Sequence, residues 1–273
     1  MSTSTLPAAA PRPVRATLGV PNVIHSEWTK LRSVRSTYWT AFVAFFVSIG
    51  ITVLAASEMV HNFAREGDHL DGFDAANFSL QSLYAAQIAL GTLGVLTITG
   101  EYATGMIRTT LTSVPQRRSV IALKGLVYGL AMLVISEIMS FVAFGIGQAI
   151  LHQQHIGVSL SDAGVFRVVF GGGLYLTTVG MLAFGLGALL RRTAAGLATF
   201  FGVLFLPSAL IDLLPSSWRA NAIKFAPANA GTQILNRNRV HEMLGPWQGL
   251  GMLALYAGII LLGALYLVGR RDA

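Results

Sequence analysis

The sequence GEYATGMIRTTLTSVPQRRSVIALK, residues 100–124, is a polar break between two long apolar runs, and its charges are mostly basic. Within it Ile107, Leu111 and Val114 recur at i, i+4 and i+7, which predicts a two-turn helix with one apolar stripe before Pro115. A helix this short is not stable alone and is expected to lie against another surface. Two interpretations follow: a cytoplasmic loop whose arginines only set membrane orientation, or a lever that receives force from a soluble partner.

The composition is that of a polytopic membrane protein. Of the 273 residues 53% are hydrophobic and 11% are charged, and the mean hydropathy is +0.62. Cysteine is absent, so the chain has no disulfide and no thiolate metal site. A formal net charge of +7 could indicate nucleic-acid binding. However, the basic residues cluster at the ends of apolar runs, so we interpret them as topology signals and expect no nucleic-acid partner.

Six apolar runs are long enough to cross a bilayer as helices, which predicts an all-α fold. They lie at about 39–56, 80–99, 119–151, 168–190, 194–214 and 247–269. We expect Pro207 to interrupt the fifth run, and Ser217 to cap a short helix that carries Trp218 at the outer interface. Residues 1–21 are rich in Ala, Pro, Ser and Thr and are predicted to be a disordered cytoplasmic tail. Residues 22–273 form the predicted transmembrane domain.

The segment before the first run favours a basic amphipathic helix at a membrane surface. Four apolar or aromatic residues fall close to one helical face: Ile24, Trp28, Leu31 and Tyr38. The charged residues of this segment are Lys30, Arg32 and Arg35. A plain positive flank of the first span would need the same residues, so both interpretations stand.

The basic residues also predict the orientation of the chain. Thirteen of the 19 lysines and arginines fall in the tail, the first helix, the 100–124 break, the pair at 191–192 and the C-terminus. The remaining six fall in the other connecting segments. Because cytoplasmic loops carry the excess of lysine and arginine, we expect both termini and the 100–124 break in the cytoplasm.

Two polar residues inside the apolar runs are candidates for the transport path, Glu137 and Gln87. A carboxylate at mid-span costs about 2.5 to 3.5 kcal/mol on insertion scales, so Glu137 is expected to face protein or water. It serves either as a hydrogen-bonding partner for a neighbouring helix or in transport, and the sequence leaves both open.

Sequence motifs of the common enzyme classes are missing. None of the three lysines follows a glycine, so the chain has no Walker A loop, and His-Glu-x-x-His is absent. All six histidines lie outside the apolar runs, so a serine nucleophile in the membrane would have no histidine base. We predict no catalytic residues, no metal site and no cofactor in this chain. Energy for any work would come from elsewhere.

Three segments together resemble an ABC type-2 transporter permease, most closely the forms common in high-GC Gram-positive bacteria. They are SEWTKLR (26–32) with STYW (36–39), EYATGMIRTTL (101–111), and PQRR (115–118) with Lys124. The likeness extends over nearly the whole chain from Asn22. Much of the wider family has Gly-Thr where this chain has Gly105-Met106.

The resemblance implies six transmembrane helices, an N-terminal amphipathic connecting helix, and a coupling helix between spans two and three that docks on an ATPase. The implied coupling residues are Glu101, Gly105, Ile107, Arg108 and Leu111. The implied connecting helix contains Glu27, Trp28, Lys30, Arg32 and Arg35.

The resemblance also implies the partners and the location of the protein. Two ATPase subunits, which carry the Mg-ATP, would combine with this chain and a second copy or a homologous permease in the cytoplasmic membrane. The expected cargo is hydrophobic or amphipathic: a drug, a lipid or a peptide antibiotic, with a role in multidrug or antibiotic resistance. A membrane anchor or an immunity or sensing component that moves no cargo is the alternative.

Overall fold

The computed structural model describes residues 35–66, 73–106, 117–211, 213–268 and 270. Within these ranges the chain forms α-helices and short 3₁₀ turns and has no β-strand. The α-helices are α1 (Arg35–Glu66), α2 (Ala75–Ser79), α3 (Leu83–Ala103), α4 (Arg117–Leu151), α5 (Val165–Leu190), α6 (Thr193–Ile211), α7 (Ser216–Ala222), α8 (Pro227–Thr232) and α9 (Pro246–Val268). The predicted tail, residues 1–21, lies outside the described residues.

Six of these helices are long and apolar enough to cross a membrane: α1, α3, α4, α5, α6 and α9. The described part of the chain therefore confirms the predicted all-α class and the six spans, and it identifies a multi-pass membrane protein. The longest, α4, has 35 residues and is about 50 Å long at 1.5 Å per residue, well beyond the hydrocarbon thickness of about 30 Å.

Two features of the helices depart from the predicted spans. The first helix continues past Ala56 to Glu66, because no glycine or proline occurs before Gly67 and because Phe63 packs against a small apolar cluster around Leu151. Helix α6 runs through Pro207 without interruption, which was not predicted. Proline is tolerated in membrane helices because neighbouring groups compensate for the lost backbone hydrogen bond.

The short helix near Trp218 exists, but its predicted cap was wrong. Helix α7 begins at Ser216, and Pro215 occupies the N-cap position instead of Ser217. Proline fixes its own φ near the value a helix entry requires, so the turn forms without a side-chain cap. Trp218 is exposed, as expected for a residue at an interface.

The centre of the bundle is α5, against which α3, α4, α6 and α9 all pack. Its glycines let the neighbouring helices approach closely. A Cβ on Gly94 of α3 would lie 2.6 Å from the carbonyl oxygen of Gly180 in α5, and one on Gly172 would lie 2.7 Å from the Oγ of Ser140 in α4. Small residues at such contacts allow van der Waals packing of helix backbones, which drives helix association in membranes.

Helix α1 lies at the side of the bundle, against α3 and α4. Ser48 and Thr52 each donate a side-chain hydrogen bond to the Oγ of Ser82, at 2.9 and 2.8 Å. The opposite face of α1 exposes large apolar side chains, Phe42 and Leu54 among them, as a lipid-facing helix would.

The segments between the spans are tied together at one end of the bundle, which we call the Asp74 end. The Oδ1 atom of Asp74 caps α2 by accepting from the amides of Ala76 and Asn77, and Oδ2 accepts from the amide of Arg237 at 2.9 Å. The Nη2 of Arg167 donates to the carbonyl of Arg237 at 2.8 Å. These bonds anchor α2 and the start of α5 to the segment before α9.

We predict that Gly94→Ala destabilises the protein by about 1 to 3 kcal/mol, because the new methyl would force the α3 and α5 backbones apart. Thermal unfolding in detergent measures this change. Gly145→Ala is the matched control, since a Cβ on Gly145 of α4 meets nothing within 4 Å. Equal midpoints for the Gly94→Ala variant and the wild type would contradict the close packing of α3 on α5.

Candidate functional site

The described residues of the predicted coupling region lie at the opposite end of the bundle. We call it the Glu101 end, and it contains the last turn of α3 and the start of α4. Of the implied coupling residues, the structure describes Glu101 and Gly105. The others, Ile107, Arg108 and Leu111, lie outside the described residues, as do the connecting-helix residues Glu27, Trp28, Lys30 and Arg32 and the side chain of Arg35. Both short helices therefore stay predictions.

A buried ion pair joins α3 to α4 at the Glu101 end. The Nζ of Lys124 lies 2.6 Å from the Oε1 of Glu101, and the two side chains are 6% and 14% exposed. Paired charges of opposite sign are the arrangement in which buried ionic groups are tolerated. The pair brackets the polar break, so the two helices on either side of it are fixed to each other.

Helix α3 ends just before Gly105, a position whose backbone conformation favours glycine. Gly105 has φ +70°, and its amide donates to the carbonyl of Tyr102 at 3.3 Å, while the amide of Thr104 donates to the carbonyl of Gly100. The left-handed conformation favours glycine, because a Cβ would clash with the following carbonyl oxygen. Helix α3 therefore ends at this position, inside the polar break of residues 100–124.

The turn between α5 and α6 is attached to the same end of α3. The guanidinium of Arg191 lies over the ring of Tyr102, 5.3 Å from its centroid. The hydroxyl of Thr193 donates to that of Thr99 at 3.0 Å. Together with the ion pair, these contacts connect α3, α4, α5 and α6 around the base of the break.

The two candidates for the transport path occupy different environments. The Oε1 of Gln87 accepts a hydrogen bond from the hydroxyl of Tyr175, and both side chains are buried between α3 and α5. Glu137 lies at the interface of α4 and α5. Its carboxyl group faces Gly173, where a Cβ would collide with it. No hydrogen bond joins Gln87 to Glu137, so the structure does not combine them in one site.

The Glu137 carboxylate is a buried polar group of this interface without a hydrogen bond, as is the hydroxyl of Tyr128 near Gly180. Both Glu137 oxygens are buried and have no hydrogen-bond partner among the described residues. One turn away, the Oγ of Ser140 donates to the carbonyl of Val169 at 2.6 Å and so links α4 to α5. One prediction was that Glu137 forms a hydrogen bond to a neighbouring helix. Among the described residues no such hydrogen bond is present.

Two contacts at the Glu101 end were not predicted from the sequence. Lys124 was grouped with the motif, but its pairing with Glu101 was not predicted. The sequence does contain a signal for this pair. Glu101 and Lys124 have opposite charges and lie near the adjoining ends of two consecutive apolar runs. Arg191 was interpreted only as a topology residue, and nothing in the sequence indicated that it lies over Tyr102.

The residues that could hold a metal are scattered. Among the described residues no three His, Asp or Glu side chains are grouped closely enough to bind a metal ion. The chain as a whole matches no protein-family model, and no curated protein matches it.

We predict that Glu101→Gln destabilises the protein by about 3 kcal/mol, because the buried ammonium of Lys124 loses its counter-ion. Thermal unfolding of the purified protein measures the loss. In the double variant Glu101→Gln with Lys124→Met we expect most of the stability to return, because both charges are removed. Glu58→Gln, which changes an exposed carboxylate of α1, serves as the control. A double variant no more stable than Glu101→Gln alone would contradict direct coupling of these side chains.

Proposed function

We propose that this chain is the permease subunit of an ABC exporter. It forms the translocation path for a hydrophobic or amphipathic cargo, such as a drug, a lipid or a peptide antibiotic, and a separate ATPase subunit supplies the energy. The observation that carries the proposal is the construction of the Glu101 end. There the buried ion pair of Glu101 and Lys124 closes the base of the polar break that holds the family-like motif.

This construction suits a part that receives force. A loop that only set membrane orientation would need exposed basic residues and no fixed base. Here the helices on both sides of the break are held together by an ion pair with a 2.6 Å contact. A push on the break would therefore move α3 and α4 as one body, and the contacts of Tyr102 and Thr99 would pass the motion to α5 and α6.

The proposed mechanism uses two permease chains and two ATPase subunits. ATP closes the nucleotide-binding dimer, the docked coupling helices move together, and the two bundles rock so that a site between them changes its access. The ATPase must bind the two conformations of the permease with different affinity, because only a difference in affinity can shift the equilibrium between them.

A path between two chains fits the polar groups of the bundle better than a pore within one chain. Gln87 is bonded to Tyr175, and Gln148 donates to the carbonyl of Ala75 and accepts from the amide of Val158. These amides stabilise the fold and are not available to line a channel. In this proposal the Glu101 end is cytoplasmic, where ATP is present, and both termini lie on that side.

We predict that Ile107→Asp and Leu111→Asp each abolish docking of the ATPase, because a carboxylate would face the apolar contact expected along one side of the coupling helix. We expect a neighbouring gene to encode the ATPase. The measurement is co-purification of that ATPase with the tagged permease, followed by its ATP hydrolysis in liposomes. We expect both signals to fall at least tenfold.

Leu213→Asp is the matched control, since Leu213 is 81% exposed at the Asp74 end and the same substitution there should leave docking unchanged. Normal assembly of both break variants with the ATPase would refute the docking role. A wild-type permease that purifies without any ATPase would favour the alternative of an anchor or a sensing component.

A further inference from the structure

A cavity of about 440 Å³ lies at the Asp74 end, between the turn that follows α7 and the first turn of α9. We call it the Lys224 pocket and define it by its polar lining, which consists of Lys224, Arg239, His241, Glu242 and Gln248. Its volume falls within the range of about 300 to 1,000 Å³ that is typical of small-molecule sites. The pocket is therefore large enough to hold a ligand.

The wall of the pocket is held in place by hydrogen bonds of its own segment. The amide of Gly245 donates to the Oε1 of Gln248 at 3.1 Å, and the amide of Met243 donates to the carbonyl of Val240 at 3.2 Å. These bonds shape the chain that enters α9. The cavity is thus formed before any ligand arrives, as is usual for binding sites.

The pocket carries positive charge that the protein does not neutralise. Of the described lining residues, Lys224 and Arg239 are cations and Glu242 is the one carboxylate, so the net charge is +1 with His241 uncharged. The Nζ of Lys224 donates to the Oδ1 of Asn221 at 3.1 Å, and this neutral amide leaves the charge in place. Neither cation forms an ion pair with a described residue. The pocket can therefore attract an anion.

Membrane topology does not explain these basic residues. Four of the six lysines and arginines predicted outside lie in residues 216–246: Arg219, Lys224, Arg237 and Arg239. Topology signals are expected on the cytoplasmic side, which in the proposed orientation is the other end of the bundle. The Nε of Arg237 has a structural role, since it donates to the carbonyl of Ala163 at 2.9 Å. No hydrogen bond of this kind holds the Arg239 side chain among the described residues.

Exposed tryptophans indicate the depth of the pocket. Trp247, the second residue of α9, is 54% exposed, and Trp218 of α7 is 71% exposed. Tryptophan is enriched where the bilayer meets water, with its ring at the level of the lipid headgroups. Gln248 of the pocket directly follows Trp247 in the chain. We therefore place the Lys224 pocket at the headgroup level.

The anion most abundant at that level is a lipid phosphate, and the pocket has the donors for one. A guanidinium can bind two phosphate oxygens at once, and an ammonium binds phosphate as a point charge. Two apolar residues, Met243 and Leu244, also line the cavity. Inorganic phosphate would leave them uncovered, whereas the glycerol ester of a lipid and the start of its acyl chains would pack on them.

We propose that the Lys224 pocket binds the phosphate headgroup of an anionic phospholipid. The phosphate lies between Lys224 and Arg239, and the glycerol and acyl esters lie on Met243 and Leu244. This lipid is a resident of the site that ties the segment between α7 and α9 to one leaflet, and it is not the cargo. The inference goes beyond the proposed function and does not rest on it.

Native mass spectrometry of the purified chain in detergent, titrated with phosphatidylglycerol and without any ATPase, tests the inference. We expect Arg239→Gln and Lys224→Gln each to weaken the tightest site about fivefold, because one basic residue beside an anionic headgroup is lost. Zwitterionic phosphatidylcholine should bind more weakly by at least about the same factor, because its choline cation is repelled. Arg192→Gln, which removes an exposed arginine at the Glu101 end, should bind phosphatidylglycerol as the wild type does.

A second measurement reports the place of binding. The chain has no cysteine, so single cysteines can be introduced and labelled with a maleimide. Phosphatidylglycerol at ten times its dissociation constant should slow labelling of the Met243→Cys variant about tenfold, because about nine-tenths of the pockets are then occupied. Labelling of the Leu213→Cys variant should not change, since Leu213 is 81% exposed at the same end and does not line the pocket.

Three results would overturn the inference. They are wild-type affinity for phosphatidylglycerol in the Arg239→Gln variant, equal affinity for phosphatidylcholine, and protection of the Met243→Cys variant by glycerol 3-phosphate at the concentration at which the lipid protects. The last result would make a soluble phosphate ester the ligand. Selective lipid binding by a chain that never assembles with an ATPase would leave the inference standing and remove the export function. An ATPase-driven permease without lipid selectivity would do the reverse.

Discussion

The fold depends on how closely the central helix, α5, approaches α3 and α4. In a bilayer the lipid tails are as apolar as the side chains, so burial of apolar surface does little to hold helices together. Close packing must hold them together. Gly94 of α3 lies close to the backbone carbonyl of Gly180, and Gly172 of α5 lies close to the side-chain hydroxyl of Ser140. The positions of Glu101 and Glu137 follow from this packing, since both lie on helices that it fixes.

The same packing determines what the polar residues can do. The side-chain amides of Gln87 and Gln148 are both hydrogen-bonded. The bond of Gln87 to Tyr175 joins α3 to α5, and that of Gln148 to Ala75 joins α4 to α2. At the Glu101 end the charges pair across two helices. Glu137 is different. Among the carboxylates described within the spans, it alone is buried with neither oxygen hydrogen-bonded. A buried carboxyl group without hydrogen bonds is costly for stability.

Much of the fold could be predicted from the sequence, because a membrane helix is encoded by a long apolar run and its ends by charge. The six spans follow in this way. The pairing of Glu101 with Lys124 could not be predicted, since it depends on the register between two helices, which hydropathy does not encode. Two helix boundaries could not be predicted either. The end of α1 at Glu66 depends on the apolar cluster that Phe63 joins, and the start of α7 at Ser216 depends on Pro215.

The account requires that the Glu101 end face the compartment that contains ATP. Because the chain has no cysteine, single cysteines at Thr104, exposed beside Gly105, and at Ser161, exposed at the Asp74 end, can report their side of the membrane. Labelling with a membrane-impermeant maleimide, in intact cells and in inverted vesicles, is the most direct measurement. We expect the Ser161→Cys variant to react in intact cells and the Thr104→Cys variant to react only in inverted vesicles. Reaction of the Thr104→Cys variant in intact cells would contradict the account.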